Sequence, residues 1–134
     1  MHRYEIITEI GEGGQSQVFK ARDTKTQTLV AIKKYRIFDE GIPSDLLREV
    51  SILKMVQHPN IVSLINVERR QGELWLVLEH MTSDLDDYLE KCKHKPLHPS
   101  LIQSYMYQIL SGLAHCHKNS NYTPRSETCQ LINR

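Results

Sequence analysis

A chain of 134 residues, 40% hydrophobic and 25% charged, has the composition of an ordinary globular protein with enough length for one small core. Lys+Arg 17 against Asp+Glu 16 leaves a net charge of +1, which argues against nucleic acid or a membrane surface as partner, and no apolar run reaches the length of a membrane span. Cys92, Cys116 and Cys129 are odd in number and lack CxxC spacing, and Met1 to Glu5 lead into a strand-like segment with no signal-peptide core, so a reduced intracellular protein of the nucleus and/or cytoplasm is expected.

The strand formers from Tyr4 to Ile10 run into Gly11-Glu12-Gly13-Gly14, a turn. Gln17 to Arg22 resumes a strand, Asp23 to Gln27 is polar and turn-like, and Thr28 to Tyr35 is a third strand. Pro43-Ser44 opens a helix in which proline suits the start and serine offers a cap. Leu46, Val50 and Leu53 form its inner face, and the helix should end near His58-Pro59-Asn60. Ile61 to Val67 and Glu73 to Glu79 read as two further strands around a turn at Gln71-Gly72. Asp84 caps a short helix to about Lys91. Ser100 to Gln103 is a capping-box signature ahead of a helix reaching about His117, with Ile102, Tyr105, Met106, Ile109 and Leu113 on one stripe. From Lys118 the chain is polar and aperiodic and reads as disordered.

The segment Ile10-Gly11-Glu12-Gly13-Gly14-Gln15-Ser16-Gln17-Val18 lies between two strands. A loop that covers a triphosphate must bring backbone N–H groups close to phosphate oxygens, and glycine removes the side chain that would prevent it. Hairpins also use glycine turns routinely, so the loop alone does not decide. Strand–glycine–strand order excludes the Rossmann and Walker A loops, which are followed by a helix.

Lys33, in Ala31-Ile32-Lys33, sits in an apolar strand where a charge is costly unless paired. Glu49 shares the inner stripe of the first helix with Leu46, Val50 and Leu53. An inward carboxylate and a strand ammonium can pair and aim the lysine at phosphate oxygens; taken singly, each also fits a charge at a surface edge. His94, His98, His115 and His117 lack the cysteine or carboxylate spacing of a zinc site, and Trp75, flanked by leucines, reads as a packing residue.

Taken together, Gly11-x-Gly13 with Val18, Ala31-Ile32-Lys33, and Glu49 in a helix resemble the small lobe of protein kinases. Glu40-Gly41-Ile42-Pro43-Ser44-Asp45-Leu46-Leu47-Arg48-Glu49 is similar to the signature helix of cyclin-dependent kinases, usually written Glu-Gly-Val-Pro-Ser-Thr-Ala-Ile-Arg-Glu. His58-Pro59-Asn60-Ile61-Val62, Leu76-Val77-Leu78-Glu79 and Gly112-Leu113-Ala114-His115-Cys116-His117 follow at the family's spacing. The resemblance covers residues 4 to 117. It implies an α+β fold: a small lobe over 1–80 with a five-stranded antiparallel sheet and one helix, two helices of an incomplete large lobe over 81–117, and an unrelated tail over 118–134.

The resemblance also implies roles. The cofactor is ATP with Mg2+. The loop Gly11 to Gln17 would cover its phosphates, with Ile10, Val18 and Ala31 around the adenine and Leu78 behind it. The backbone of Glu79 and Met81 would meet the adenine edge, and Asp84 the ribose. Lys33 would hold the α- and β-phosphates, oriented by Glu49. A cyclin would bind through Ile42, Pro43, Ser44, Leu47 and Arg48, with Leu47 as anchor and Arg48 reaching the activation-loop phosphate. Protein substrates would receive the phosphoryl group on serine or threonine.

The departures are specific. Ser16 replaces the third loop glycine, Gly14 and Gln15 occupy the place of an inhibitory Thr-Tyr pair, and Asp45 and Leu46 alter the cyclin side. No His-Arg-Asp or Asp-Phe-Gly triplet occurs, so the base and the metal ligands of phosphoryl transfer are absent from these 134 residues. The expectation is a truncated, inactive form of an active enzyme, with a non-catalytic cyclin- or nucleotide-binding module as the alternative.

Overall fold

The computed structural model describes residues 3–14, 16–37, 41–92 and 95–119. Among these, the strands are β1 (Tyr4–Glu12), β2 (Ser16–Asp23), β3 (Leu29–Arg36), β4 (Leu64–Arg70) and β5 (Glu73–Glu79), and the helices are α1 (Ser44–Met55), α2 (Leu85–Lys91) and α3 (Pro99–Lys118). The five strands form one antiparallel sheet in the order β1-β2-β3-β5-β4. The fold is therefore α+β, as the sequence led one to expect.

The chain divides into two compact units, residues 1–54 with 63–80 and residues 55–62 with 81–134. In the first, the turn chemistry sets the hairpins. Gly13 closes the β1–β2 turn by donating its N–H to the Ser16 carbonyl at 2.7 Å. Asp23 closes the β2–β3 turn: its Oδ1 accepts from the Lys25 N–H at 2.9 Å, and its N–H bonds the Thr28 carbonyl at 2.9 Å. Gly72 turns β4 into β5 at φ 71°, a left-handed conformation that a Cβ would strain.

Directly opposed residues of paired strands share a face. On one face Tyr4, Ala21, Val30, Ile32, Trp75 and Val77 make the core cluster. Tyr4 on edge strand β1 and Asn66 on edge strand β4 meet over it, Asn66 Nδ2 donating to the tyrosine oxygen at 3.2 Å, so the sheet curls around its own core. The other face carries Val18, Ala31, Lys33, Tyr35, Leu76 and Leu78, brought into line by the pairs Val18↔Lys33, Lys33↔Leu76 and Ala31↔Leu78.

Helix α1 buries Leu46 and Leu53. Leu46 thus belongs to the inner stripe and not to an outer, partner-facing side. Ser44 is the first helical residue, and the Pro43 carbonyl takes the first helical bond, from the Leu47 N–H at 3.1 Å. Strand β4 runs three residues later than its expected span: Ile61 and Val62 are buried but precede it, and it continues through Arg69 and Arg70 to the Gly72 turn.

In the second unit, Asp84 caps α2, its Oδ1 accepting from the Asp87 N–H at 2.7 Å. Helix α3 starts two residues earlier than its capping-box signature suggests, with His98 and not Ser100 at the cap. Pro99 takes the first helical position and the His98 ring accepts from the Ser100 N–H at 3.3 Å. Its inward side carries Gly112 and Cys116, with Leu101, Tyr105 and Ile109 half-covered, whereas Ile102 and Met106 are 47% and 49% exposed. The expected stripe is thus rotated. Tyr105 meets Tyr88 of α2 edge-on at 6.1 Å, and residues 55–62 dock on α3 through His58, whose ring lies 4.9 Å from that of His115, and through Asn60, which donates to Gln108 Oε1 at 3.3 Å. Lys118 ends α3 instead of opening a tail; residues 120–134, where the disordered tail is expected, lie outside the described residues.

Two groups in the first unit make it acid-sensitive. Arg3 holds the buried Asp23 carboxyl below its usual value through bonds of 2.8 to 3.3 Å, helped by the Lys25 N–H. A depressed carboxylate stabilises the fold above its unfolded value of about 3.9 and stops doing so as pH falls through the folded value. Burial, and secondarily the charge of Lys20, lower the His80 value, so protonation opposes folding as pH drops below about 6.5. Melting temperature should therefore fall in two stages, from pH 7.5 to 5.5 and again below pH 4. His80→Gln should remove the first stage and Asp23→Asn should flatten the second; a melting temperature constant from pH 7.5 to 4 contradicts this.

Candidate nucleotide site

The site begins on β3. Lys33 points to the sheet face opposite the core cluster, and Glu49 leaves α1 between the buried Leu46 and Leu53, one helical turn from each. Lys33 Nζ lies 3.2 Å from Glu49 Oε1, with both side chains about one quarter exposed at 25% and 24%. A second donor reaches the same carboxylate: the Tyr35 hydroxyl bonds Glu49 Oε2 at 2.9 Å. Lys33 Nζ also stands 5.0 Å from the Tyr35 ring centroid. Burial, then the Glu49 charge, push the Tyr35 phenol far above its ordinary value, so this hydroxyl remains a donor at every pH the fold survives.

Around this cluster the strand register assembles an apolar surface. Val18 sits across from Lys33 on β2 and across from Gly11 on β1. Ala31 is half-buried opposite the buried Leu78, and Ile10 is 50% exposed. The loop glycines leave space: a Cβ at Gly14 would meet nothing within 4 Å, and one at Gly13 would come no closer than 3.5 Å, to Ser16 Oγ. Glu12, Gly13 and Gly14 are exposed, and Ser16 and Gln17 half-buried. Gln15 lies outside the described residues. The arrangement offers an ammonium held by a carboxylate, small residues at a sheet surface, and a glycine turn whose backbone can approach an anion.

The Glu79 N–H donates to the Ser63 carbonyl at 3.1 Å. Met81 and Asp84 belong to the second unit, Met81 half-buried and Asp84 exposed with its carboxylate engaged in the α2 cap. On α1, Leu47 is 51% exposed and Ser44 and Arg48 are exposed; just ahead of it Pro43 is exposed and Ile42 half-buried. Glu40, the first residue of the signature stretch, lies outside the described residues.

A family model described as protein kinase domain matches residues 4–122. The chain belongs to the protein kinase family. Within this kinase domain, the paired lysine and glutamate come from β3 and from the helix that follows it, the order in which kinases present the pair that positions ATP phosphates. The family uses ATP and Mg2+ and acts on protein substrates. Among the described residues, no helix is long and apolar enough to cross a membrane.

Tyr35 was not visible as a site residue in the sequence, because a tyrosine in a β-strand is an ordinary strand former. The one available signal was its position two residues beyond Lys33, which puts both side chains on one face.

Proposed function

We propose that this chain is the ATP-gripping part of a serine/threonine protein kinase of the cyclin-dependent type. The observation that carries the reading is the Lys33–Glu49 pair at 3.2 Å on a sheet face lined by Val18, Ala31 and Leu78. On this reading Lys33 holds the α- and β-phosphates and Glu49 fixes its direction. The amides of Gly11 to Gln17 cover the phosphates. Ile10, Val18, Ala31 and Leu78 enclose the adenine; the family resemblance assigns the backbone of Glu79 and Met81 to its edge and Asp84 to the ribose. When bound, ATP supplies the phosphoryl group and Mg2+ neutralises its charge. Residues 1–80 then correspond to the small lobe and residues 81–117 to part of the large lobe.

The cyclin-dependent assignment rests on the stretch from Gly41 to Glu49 and on the exposure of Leu47 and Arg48 along α1. Leu47 is the anchor for a cyclin, with Ile42, Pro43 and Ser44 beside it. Because the 134 residues include neither a His-Arg-Asp nor an Asp-Phe-Gly triplet, they grip nucleotide without supplying the base or the metal ligands. A non-catalytic cyclin- or nucleotide-binding module is the second reading, and the same feature favours it.

Thermal shift with ATP and with a cyclin, alongside phosphate transfer to a basic Ser-Pro peptide, tests these points. At a ligand concentration of 100 times Kd the expected stabilisation is about 2.7 kcal/mol. The expected result is a shift with each ligand and transfer at background. Robust transfer would overturn the grip-only reading, no response to cyclin the subtype, and no response to ATP the nucleotide assignment.

A further inference from the structure

We infer that Tyr35 is a positioning residue that latches α1 onto the sheet by holding the second carboxylate oxygen of Glu49 while Lys33 holds the first. The inference rests on the nucleotide reading for its functional consequence, though not for its structural one.

A carboxylate paired to one ammonium through one oxygen can still rotate about its last torsions, and a pair about one quarter exposed is worth little by itself. Here the two oxygens have different donors, Lys33 Nζ at 3.2 Å on Oε1 and the Tyr35 hydroxyl at 2.9 Å on Oε2. Both donors come from the same face of β3, two residues apart, so a rigid strand defines the spacing between them. The Tyr35 ring also lies 5.0 Å beneath the Lys33 ammonium, so it restrains both members of the pair. Leu46 and Leu53 contribute non-directional burial, and neither defines where the Glu49 carboxylate points.

The consequence concerns Lys33. An ammonium held in one orientation meets phosphate oxygens with less ordering cost than one that must first be placed. The Tyr35 hydroxyl does this without adding charge and without titrating.

The test compares wild type, Tyr35→Phe, Glu49→Ala and the double variant in the full 134-residue chain. Amide hydrogen exchange of α1 is followed without nucleotide, and affinity for Mg-ATP is measured by calorimetry. Tyr35→Phe keeps the ring and removes only the donor. It should speed exchange in α1 about tenfold and weaken Mg-ATP binding about three- to tenfold, while having no further effect in the Glu49→Ala background, where no side-chain acceptor remains. A role confined to packing would be retained by phenylalanine. Unchanged α1 exchange in Tyr35→Phe, or additive effects of the two substitutions, would overturn the latch. Absence of Mg-ATP binding by wild type would instead overturn the nucleotide reading, and α1 exchange would then decide the latch alone.

Discussion

Trp75→Ala is expected to cost the sheet unit about 3–5 kcal/mol, a large part of the roughly 5–15 kcal/mol that holds a typical domain folded. Trp75 is 6% exposed in the cluster with Tyr4, Ala21, Val30, Ile32 and Val77. Its ring is covered by two cations, with Arg70 Cζ 3.9 Å and Lys34 Nζ 4.3 Å from the centroid, and its N–H donates to Glu73 Oε2 at 2.7 Å. Truncation removes the ring, opens a cavity and exposes the stems of Lys34 and Arg70 to water. Trp75→Phe keeps an aromatic face under both cations and should cost less than half as much. Urea unfolding followed by far-UV circular dichroism is the appropriate measurement, because the substitution removes the chain's one tryptophan. A cost below about 1 kcal/mol would mean that this cluster is not the core.

The second large effect is on binding. Lys33→Met should weaken ATP about 10- to 100-fold, the range set by losing a charge-assisted contact of about 1.5–3 kcal/mol. The fold should hardly notice. The Lys33–Glu49 pair is partly exposed to water, where ion pairs contribute about 1 kcal/mol or less, and Glu49 still accepts from the Tyr35 hydroxyl once the ammonium is gone. Calorimetric titration with ATP and a melting curve on the same preparation separate the two effects. A Lys33→Met protein that melts normally and binds ATP as wild type does would remove Lys33 from the site.

Some of this architecture is legible from residue order alone. β5 runs from Glu73 to Glu79 as expected because a continuous apolar run follows a glycine turn, and α2 begins after Asp84 because the carboxylate cap is a local signal. The Lys33–Glu49 meeting was legible for a combined reason. A lysine in an apolar strand needs a partner, and Glu49 lies on the same helical stripe as Leu46 and Leu53. Other features depend on what packs against what. Helix α3 has apolar residues on more than one side, and periodicity does not choose between Ile102 with Met106 and Leu101 with Tyr105. Packing covers the second set. The displacement of β4 has the same origin, since Ile61 and Val62 look like strand residues yet belong with the second unit.

Tyr35 and the Arg3–Asp23 pair were out of reach for a different reason. Arg3 and Asp23 are 20 positions apart, and Tyr35 and Glu49 are 14. Each contact follows from strand register or from how α1 is docked, which no local pattern encodes. The polar details that position the candidate site are therefore long-range products of the fold, whereas its charged pair was announced by the cost of burying a lysine.

The most direct test of the central claim is an NMR titration of the isotopically labelled 134-residue chain with Mg-ATP. Shifts should concentrate at Gly11 to Val18, Ala31, Lys33, Glu49 and Leu78, with little change on the Trp75 face of the sheet. Shifts that spare Lys33 and Glu49, or an unchanged spectrum at millimolar Mg-ATP, would contradict it.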